Sequence, residues 1–224
     1  MRAMRAKKQK TALRQRLITR EALSLLAEHG LHGVSVAELA ERVGLVPSGI
    51  YRHFKSKDDI IDSVFDLVRE RLVTNVREVS EETIDPMERL SRILHRHLAL
   101  IRQNPAIPRL VFSEGIFSEQ GQRKAKVRQI VEGYLRAVAE IIRHGQQAGA
   151  IRADLDPSTA AVMFLGLIQP LIIISQVTDG EFDVDLHMRR AWPIFSEAIQ
   201  KREPIYQRRG EYPDGGDSKD HRNQ

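Results

Sequence analysis

Apolar residues recur three and four positions apart along nearly all of the 224 residues, and no stretch alternates apolar and polar residues for long enough to form a sheet. This spacing places the apolar side chains of each segment on one face of a helix. The chain is therefore predicted to be all-α. Hydrophobic residues make up 42% of the sequence, which is enough for a buried core and excludes a disordered or fibrous protein.

Glycine, proline and helix-capping residues set the predicted boundaries. Gly30 and Gly44 are placed to end helices, because glycine readily adopts the left-handed conformation that closes a last turn. Pro170 and Pro193 lie inside apolar segments and are predicted to kink their helices. The predicted helices span about 11–29, 35–43, 47–54, 56–80, 86–103, 105–116, 119–148, 157–177 and 184–201.

The positive charge is concentrated at the start of the chain. The net charge is +5, but residues 1–20 contain eight basic and no acidic residues, so the remainder carries 27 basic and 30 acidic ones. Such an asymmetry favours a polyanionic partner, either nucleic acid or an anionic membrane surface. A solvated basic tail without a partner remains open on charge alone.

Several classes of protein are excluded by what the sequence lacks. Without cysteine there is no disulfide framework, thiolate zinc site or cysteine nucleophile, and a reducing cytoplasm fits. No apolar segment follows the basic start as in a secretory signal, so we expect an intracellular protein. The segment Ala160–Ile174 is shorter than the roughly 20 residues of a spanning helix. It also contains Gln169 and Pro170, and we predict a buried interface helix there rather than a membrane partner.

The segment between residues 35 and 54 has the pattern of a helix-turn-helix. Ser35 and Glu38 form a capping-box pattern, Gly44 marks a bend, and Pro47 suits the first turn of a short second helix. The second helix of such a motif can enter the major groove of DNA. Ile50 and Phe54 can anchor this helix, which leaves its polar residues without a core role. An ordinary helical corner with a solvated basic rim is the alternative.

No catalytic signature is present. The sequence contains no Gly-x-Ser-x-Gly, P-loop, Rossmann fingerprint or His-Glu-x-x-His. His95 and His97 are two residues apart and do not share a helix face, so they do not form a metal-binding pair. We predict no enzyme activity, no cofactor and no metal.

The stretch Ala22–Val64, and above all AELAERVGLVPSGIYRHFKSKDDI, resembles the N-terminal DNA-binding domain of the TetR family of bacterial transcriptional regulators. The resemblance covers about 50 residues, and the rest of the chain is similar to the family in layout only. One departure is Val46, which stands where the family usually has serine or a similar N-cap. The resemblance implies DNA contacts from Ser35, Val36, Pro47, Ser48, Gly49, Tyr51, Arg52, His53 and Lys57.

The resemblance also implies that the C-terminal helices form a dimer interface and a small-molecule pocket. The last two helices are more apolar than an exposed layer tolerates, which supports dimerisation. A monomer with both helices packed inward is the alternative. The predicted interface consists of Phe164, Leu165, Ile168, Ile172, Trp192, Phe195 and Ile199. The predicted pocket consists of Phe65, Val68, Leu72, His97, Leu98, Phe112, Ile116, Tyr134 and Val138, with His97 more typical of a core histidine than of a ligand contact.

We accordingly predict an N-terminal three-helix helix-turn-helix domain followed by a larger helical ligand-binding and dimerisation domain. The predicted divisions are a flexible basic arm (1–10), the DNA-binding domain (11–56), the larger domain (57–202) and a disordered tail (203–224). The predicted function is a cytoplasmic homodimeric repressor that binds a near-palindromic operator and leaves it when an apolar or amphipathic effector binds. A nucleoid-associated DNA-binding protein without an effector is the alternative, and a peripheral membrane protein ranks third.

Overall fold

The computed structural model describes residues 2–111 and 122–201, and within these ranges the chain is all-α, as predicted. Its only strand-like feature there is an isolated bridge between Ile151 and Gln200. The helices are α1 Arg2–Gly33, α2 Val36–Arg42, α3 Pro47–Ile50, α4 Lys57–Glu82, α5 Pro86–Gln103, α6 Ala106–Val111, α7 Gln122–Gln147, α8 Pro157–Gly166, α9 Gln169–Val177 and α10 Val184–Ile199. The predicted tail, residues 203–224, lies outside the described residues.

Helix α1 begins at Arg2 and not at about Thr11 as predicted, so residues 2–10, which we predicted as a flexible arm, are helical. These residues are alanine, methionine, arginine, lysine and glutamine, all strong helix formers, with no glycine or proline among them. Charge repulsion favours an extended arm, whereas intrinsic helix propensity favours continuation of the helix. Gly30, predicted to end this helix as a left-handed cap, takes φ 71° with ψ −175°, which is outside the left-handed helical region, and α1 continues past this kink to Gly33.

The apolar segment predicted as one kinked helix over 157–177 is two helices. Helix α8 ends at Gly166, and α9 begins at Gln169 with Pro170 in its first turn. Proline has no N–H and clashes with the carbonyl four residues earlier, which explains a break rather than a bend. Pro193, in contrast, lies inside α10.

Helix α4 connects the two ends of the molecule. Its first turns bury Ile60, Ile61 and Val64, whereas Val68 and Leu72 are buried farther along. The C-terminal helix α7 packs against α4, α5 and α8, and α1 packs against α4 and α6. The N-terminal helices and the larger helical region therefore share α4 as a continuous structural element.

Candidate nucleic-acid interface and ligand cavity

A helix-turn-helix is present at the predicted position. The Ser35 hydroxyl accepts a bond from the Glu38 N–H at 3.4 Å and caps α2. The Glu38 carboxylate accepts from Arg42 at 2.8 Å instead of returning to Ser35, so only half of the predicted capping box forms. Gly44 takes φ 65° between α2 and α3, a conformation that costs a residue with a Cβ about 1 kcal/mol or more.

Helix α3 has one buried anchor and an otherwise accessible surface. Ile50 is fully buried, whereas Pro47, Ser48 and Arg52 are exposed and Tyr51 is 51% exposed. The N-cap Val46 makes no side-chain capping bond, as its departure from the family pattern predicts. The Ile50 carbonyl accepts bonds from the next turn, from the His53 N–H at 2.9 Å and the Phe54 N–H at 3.1 Å. Pro47, Ser48, Tyr51 and Arg52 form the exposed row, which α3 and the turn after it hold at the surface.

Helix α1 supports this segment from behind. The Gln15 amide donates to the His53 carbonyl at 3.0 Å, and the Arg14 guanidinium donates to the Val43 carbonyl at 3.3 Å. Gly49 is half-buried, and a Cβ added to it would lie 3.4 Å from the Leu45 Cβ, which is an ordinary contact. An alanine is therefore tolerated at this position.

The start of α4 completes the candidate interface. Ser56 Oγ accepts from the Asp59 N–H at 3.1 Å, while the Asp59 carboxylate accepts from the Lys55 N–H at 2.9 Å. Lys57 is the first residue of α4 and is half-buried. Ser35 is exposed and Val36 half-buried at the start of α2. Helix α3 ends at Ile50 instead of the predicted residue 54, so the predicted DNA-contacting residues lie at the start of α2, on α3, in the turn 51–53 after it, and in the first turn of α4.

Among the described residues, one group has metal-ligand geometry: Glu28, His29 and Glu38. The Arg42 guanidinium already lies between the two carboxylates, donating to Glu28 at 2.5 and 2.7 Å and to Glu38 at 2.8 Å. The hydrogen bond from Arg42 lowers the pKa of Glu28. This cluster is an ion-pair network that links α1 to α2.

A cavity of about 70 Å³ lies between α4, α5, α6, α7 and the α8–α9 region. Four residues of the predicted pocket line it: Val68, Leu72, His97 and Tyr134. Phe65, Leu98 and Val138 are instead buried in the core without lining the cavity, because they occupy neighbouring faces of the same helices. Phe112 and Ile116 lie outside the described residues.

Helices α8 and α9 contribute a wall of the cavity that was not predicted from the sequence. The residues of this wall are Leu165, Ile168, Gln169 and Ile172. All of them except Gln169 were predicted for the dimer interface. The remaining lining residues are Ile101, Ile107, Pro108, Ile130 and Val131. Spacing marks these positions as apolar but does not indicate which helix they face. The one sequence signal for this wall was Gln169, a polar residue inside an apolar run, which indicates a polar contact within the protein.

The polar part of the cavity is a buried pair. His97 Nδ1 and the Tyr134 hydroxyl are 3.0 Å apart, and the rings pack edge to face with centroids 5.0 Å apart. Burial lowers the pKa of His97 from 6.5 to about 4 and raises the pKa of Tyr134. Both side chains are therefore neutral at pH 7.

We expect His97 to make stability pH-dependent. Between pH 6.5 and pH 4 the unfolded chain binds a proton at His97 that the folded chain does not, so the free energy of unfolding falls as pH falls through this window. The full effect is about 3 kcal/mol. Urea unfolding at pH 7.0 and pH 4.5 measures it, with His97→Gln as the comparison. The variant should lose less stability on acidification, and equal losses would contradict the assignment.

The predicted dimer interface requires a correction. Phe164, Ile168, Phe195 and Ile199 are at most 5% exposed within one protomer, so they belong to its own core and are not available to a partner. The same helices instead expose other large apolar residues: Val162, Met163, Ile173, Ile174, Val177, Leu186 and Ile194. Leu165, Ile172 and Trp192, the other predicted interface residues, are half-buried. Spacing did not separate the inner from the outer residues, because both faces of these helices are apolar.

The segment Pro157–Ser175 is apolar and long enough to span a membrane by composition alone, yet α8 and α9 divide it and only 33% of it is buried in the protomer. Phe164 and Ile168 anchor its inner side. Trp192 is half-buried and packs near Phe195, with ring centroids 6.1 Å apart. The outer side of this segment and of α10 forms the apolar C-terminal face.

Comparison with known proteins matches both regions of the chain. Residues 18–64 match the family described as bacterial regulatory proteins, tetR family, and residues 65–195 match the family described as YsiA-like protein, C-terminal region. Together these matches cover the helix-turn-helix and nearly all of the helices that follow it.

Individual relatives are more distant. The fatty acid metabolism regulator protein of Bacillus subtilis is 26% identical over 163 residues, which are 73% of this chain and 84% of the relative. The nucleoid occlusion factor SlmA of Vibrio campbellii is 22% identical over 191 residues, 85% of this chain and 97% of that protein. The structure of the transcriptional regulator FadR from Bacillus subtilis in complex with stearoyl-CoA is similar with a TM-score of 0.68 and 24% identity, covering 82% of this chain and 98% of that one.

Proposed function

The chain belongs to the TetR family of bacterial regulatory proteins and is a DNA-binding transcriptional regulator; on that premise we propose that it is a homodimeric repressor released from its operator by an acyl effector. The observation that carries the proposal is the exposed row on α3, held out by the buried Ile50. We assign it to the cytoplasm of a bacterium, where DNA is accessible, and assign it no enzyme activity.

In the proposed DNA complex, α3 enters the major groove. Pro47, Ser48 and Gly49 are small, so the start of the helix can approach base edges closely. Tyr51 and Lys57 are proposed to contact phosphates, which fix position without reading sequence. Ser35, Val36, Arg52 and His53 complete the proposed contact surface.

Dimerisation is proposed through the apolar C-terminal face. Ile194 is 72% exposed, Val177 75% and Val162 57%, and contact of so many large apolar side chains with water is unfavourable. Two copies related by a two-fold axis would bury it in a four-helix arrangement. A symmetric dimer presents two α3 helices, which matches a near-palindromic operator.

The cavity supports an effector whose buried part is uncharged. None of its described lining residues carries a charge at pH 7, since His97 is neutral and the others are apolar apart from Tyr134 and Gln169. A carboxylate would lack a counter-ion there, whereas a thioester or ester carbonyl could accept a hydrogen bond. An acyl chain attached through such a group fits this lining. A relative named for fatty acid metabolism and a similar fold in complex with stearoyl-CoA favour the same class.

The small volume of the cavity links effector binding to a change in the DNA-binding region. About 70 Å³ is far below the ~300–1,000 Å³ of typical ligand pockets, so a long acyl chain must displace the surrounding helices. Helix α7 lines the cavity through Ile130 and Tyr134.

One turn before Ile130, α7 is tied to the beginning of α4. Lys126 lies 3.5 Å from Asp62 and 3.3 Å from Asp66, and Arg123 pairs with Asp58. Movement of α7 is therefore proposed to shift the first turns of α4, which follow directly after α3. An effector that binds the shifted arrangement better lowers DNA affinity by that difference.

The proposed effector response is testable with the DNA flanking the protein's own gene, first in a gel shift and then by fluorescence anisotropy. We expect stearoyl-CoA to release the operator, and coenzyme A alone to leave it bound. Val131→Phe, which puts a ring into the cavity, should require at least about tenfold more stearoyl-CoA. Ile84→Phe, on an exposed loop residue, is the control.

Unchanged sensitivity of Val131→Phe would contradict this choice of cavity. Retention of the operator at saturating stearoyl-CoA by the unmodified protein would contradict the acyl-thioester effector.

One observation supports the nucleoid-associated alternative, namely the similarity to a nucleoid occlusion factor. Footprinting across the genome separates the two functions. A handful of near-palindromic sites supports a regulator of specific genes, whereas hundreds of scattered sites would support the alternative.

A further inference from the structure

A second, larger concavity lies on a different part of the molecule from the cavity. A groove of about 800 Å³ runs between the N-terminal half of α1 and the outer faces of α4 and α5. Leu13, Leu17 and Leu67 contribute apolar surface to it, and Leu13 is 67% exposed. Its size falls within the ~300–1,000 Å³ of small-molecule sites. It shares α4 and α5 with the cavity but no lining residue.

The charges in this groove do not balance. Four arginines and two glutamates line it, and both glutamates are already paired: Glu70 with Arg16 at 3.6 Å and Glu78 with Arg96 at 3.4 Å. Two cations remain, Arg20 and Arg71, and neither pairs with a carboxylate within the ranges that the structure describes.

The two remaining cations disfavour each other. The Arg71 guanidinium is half-buried and donates to the neutral Asn104 Oδ1 at 2.7 Å. Desolvation and, to a smaller extent, the charge of Arg20 lower the pKa of Arg71, and the charge of Glu70 only partly offsets them. Like charges held together on a partly desolvated surface are unfavourable, and a bound anion would reverse this.

We propose that this groove binds a small amphipathic anion, with a carboxylate or phosphate head between Arg20 and Arg71 and an apolar chain along Leu13, Leu17 and Leu67. Guanidinium groups recognise both head types through paired hydrogen bonds. The leucine surface supplies the apolar contact that an inorganic anion cannot use. The two sites consequently select different ligands. The cavity favours an uncharged acyl group, whereas the groove favours an apolar chain with an anionic head.

The position of the groove gives such a ligand a structural consequence. Arg20, Leu13 and Leu17 belong to α1, which supports the segment after α3 through the bond from Gln15 to His53, whereas Arg71 and Leu67 belong to α4. A molecule held by both helices stabilises their present arrangement. This site is separate from the proposed effector cavity and does not depend on it.

Isothermal titration of the full-length protein tests the proposal with decanoate and decyl phosphate as probes, and with decanol and inorganic phosphate as controls. We expect both anionic amphiphiles to bind and both controls to bind at least about tenfold more weakly. Comparison of the two heads shows whether the site prefers a free carboxylate or a phosphate.

Arg20→Gln and Arg71→Gln should each weaken decanoate binding about tenfold or more, because each removes a charge-assisted hydrogen bond. Arg77→Gln, on α4 outside the groove, should leave it unchanged, and so should Val131→Phe in the cavity. Arg20 is exposed, so its substitution tests the site even if Arg71→Gln fails to fold. The proposal would be overturned if Arg20→Gln bound decanoate as tightly as the unmodified protein, or if Val131→Phe abolished decanoate binding. Equally tight binding of decanol would also overturn it.

Discussion

Replacing Ile194 by glutamate is expected to convert the proposed dimer to a monomer and to weaken operator binding about a hundredfold or more. Ile194 is 72% exposed on α10, so the charge does not disturb the core of the protomer. In a dimer that forms through the apolar C-terminal face, however, this charge would be buried without a partner charge. Sedimentation gives the oligomeric state, and fluorescence anisotropy with the operator duplex gives the affinity.

Ile84→Glu is the matched control, because Ile84 is 91% exposed but lies between α4 and α5, away from the apolar C-terminal face. It should leave both the dimer and the operator affinity unchanged. A dimeric Ile194→Glu protein with full affinity would mean that the two copies associate through another surface.

The second large effect is expected at Tyr51. Its ring is 51% exposed on the segment after Ile50, and its hydroxyl makes no hydrogen bond within the described ranges. Removing the hydroxyl that we propose to bind phosphate, from both protomers of the proposed dimer, is expected to weaken binding by about one to two orders of magnitude. Tyr51→Ala should therefore reduce affinity for all DNA sequences in similar proportion, with the helical content of the protein unchanged.

Gly49→Ala provides the contrast to Tyr51→Ala. Its new Cβ lies at ordinary contact distance from Leu45, so the fold is retained while the surface toward the bases changes. We expect it to alter which bases are preferred. If Gly49→Ala and Tyr51→Ala both reduced affinity uniformly, α3 would position the protein without reading sequence.

The DNA-binding region could be predicted well from sequence because its signals are local. Ser35, Gly44, Pro47 and Ser56 each act on the backbone within a few residues, and the structure has a helix cap, a turn or a helix start at all four. Ile50 as the anchor of α3 follows from the same short-range pattern. The predicted start of α1 is wrong because helix propensity outweighs charge repulsion at residues 2–10.

The ligand and dimer surfaces could be predicted only in part, because they depend on which helices face each other. Phe164 and Ile194 are both apolar residues of the last helices, yet the first is fully buried and the second largely exposed. Ile168 and Ile172 line the cavity although their spacing suits an interface equally well. Periodicity identifies an apolar face but not the element that covers it.

The proposed function depends above all on two α3 helices, presented by a symmetric dimer, reading DNA together. Selection of bound duplexes from a pool of random sequence tests this most directly. We expect the recovered duplexes to share two inverted half-sites with centres about one helical turn, roughly 10 base pairs, or a multiple of it apart. Recovery of a single asymmetric site, or of no common sequence at all, would contradict it.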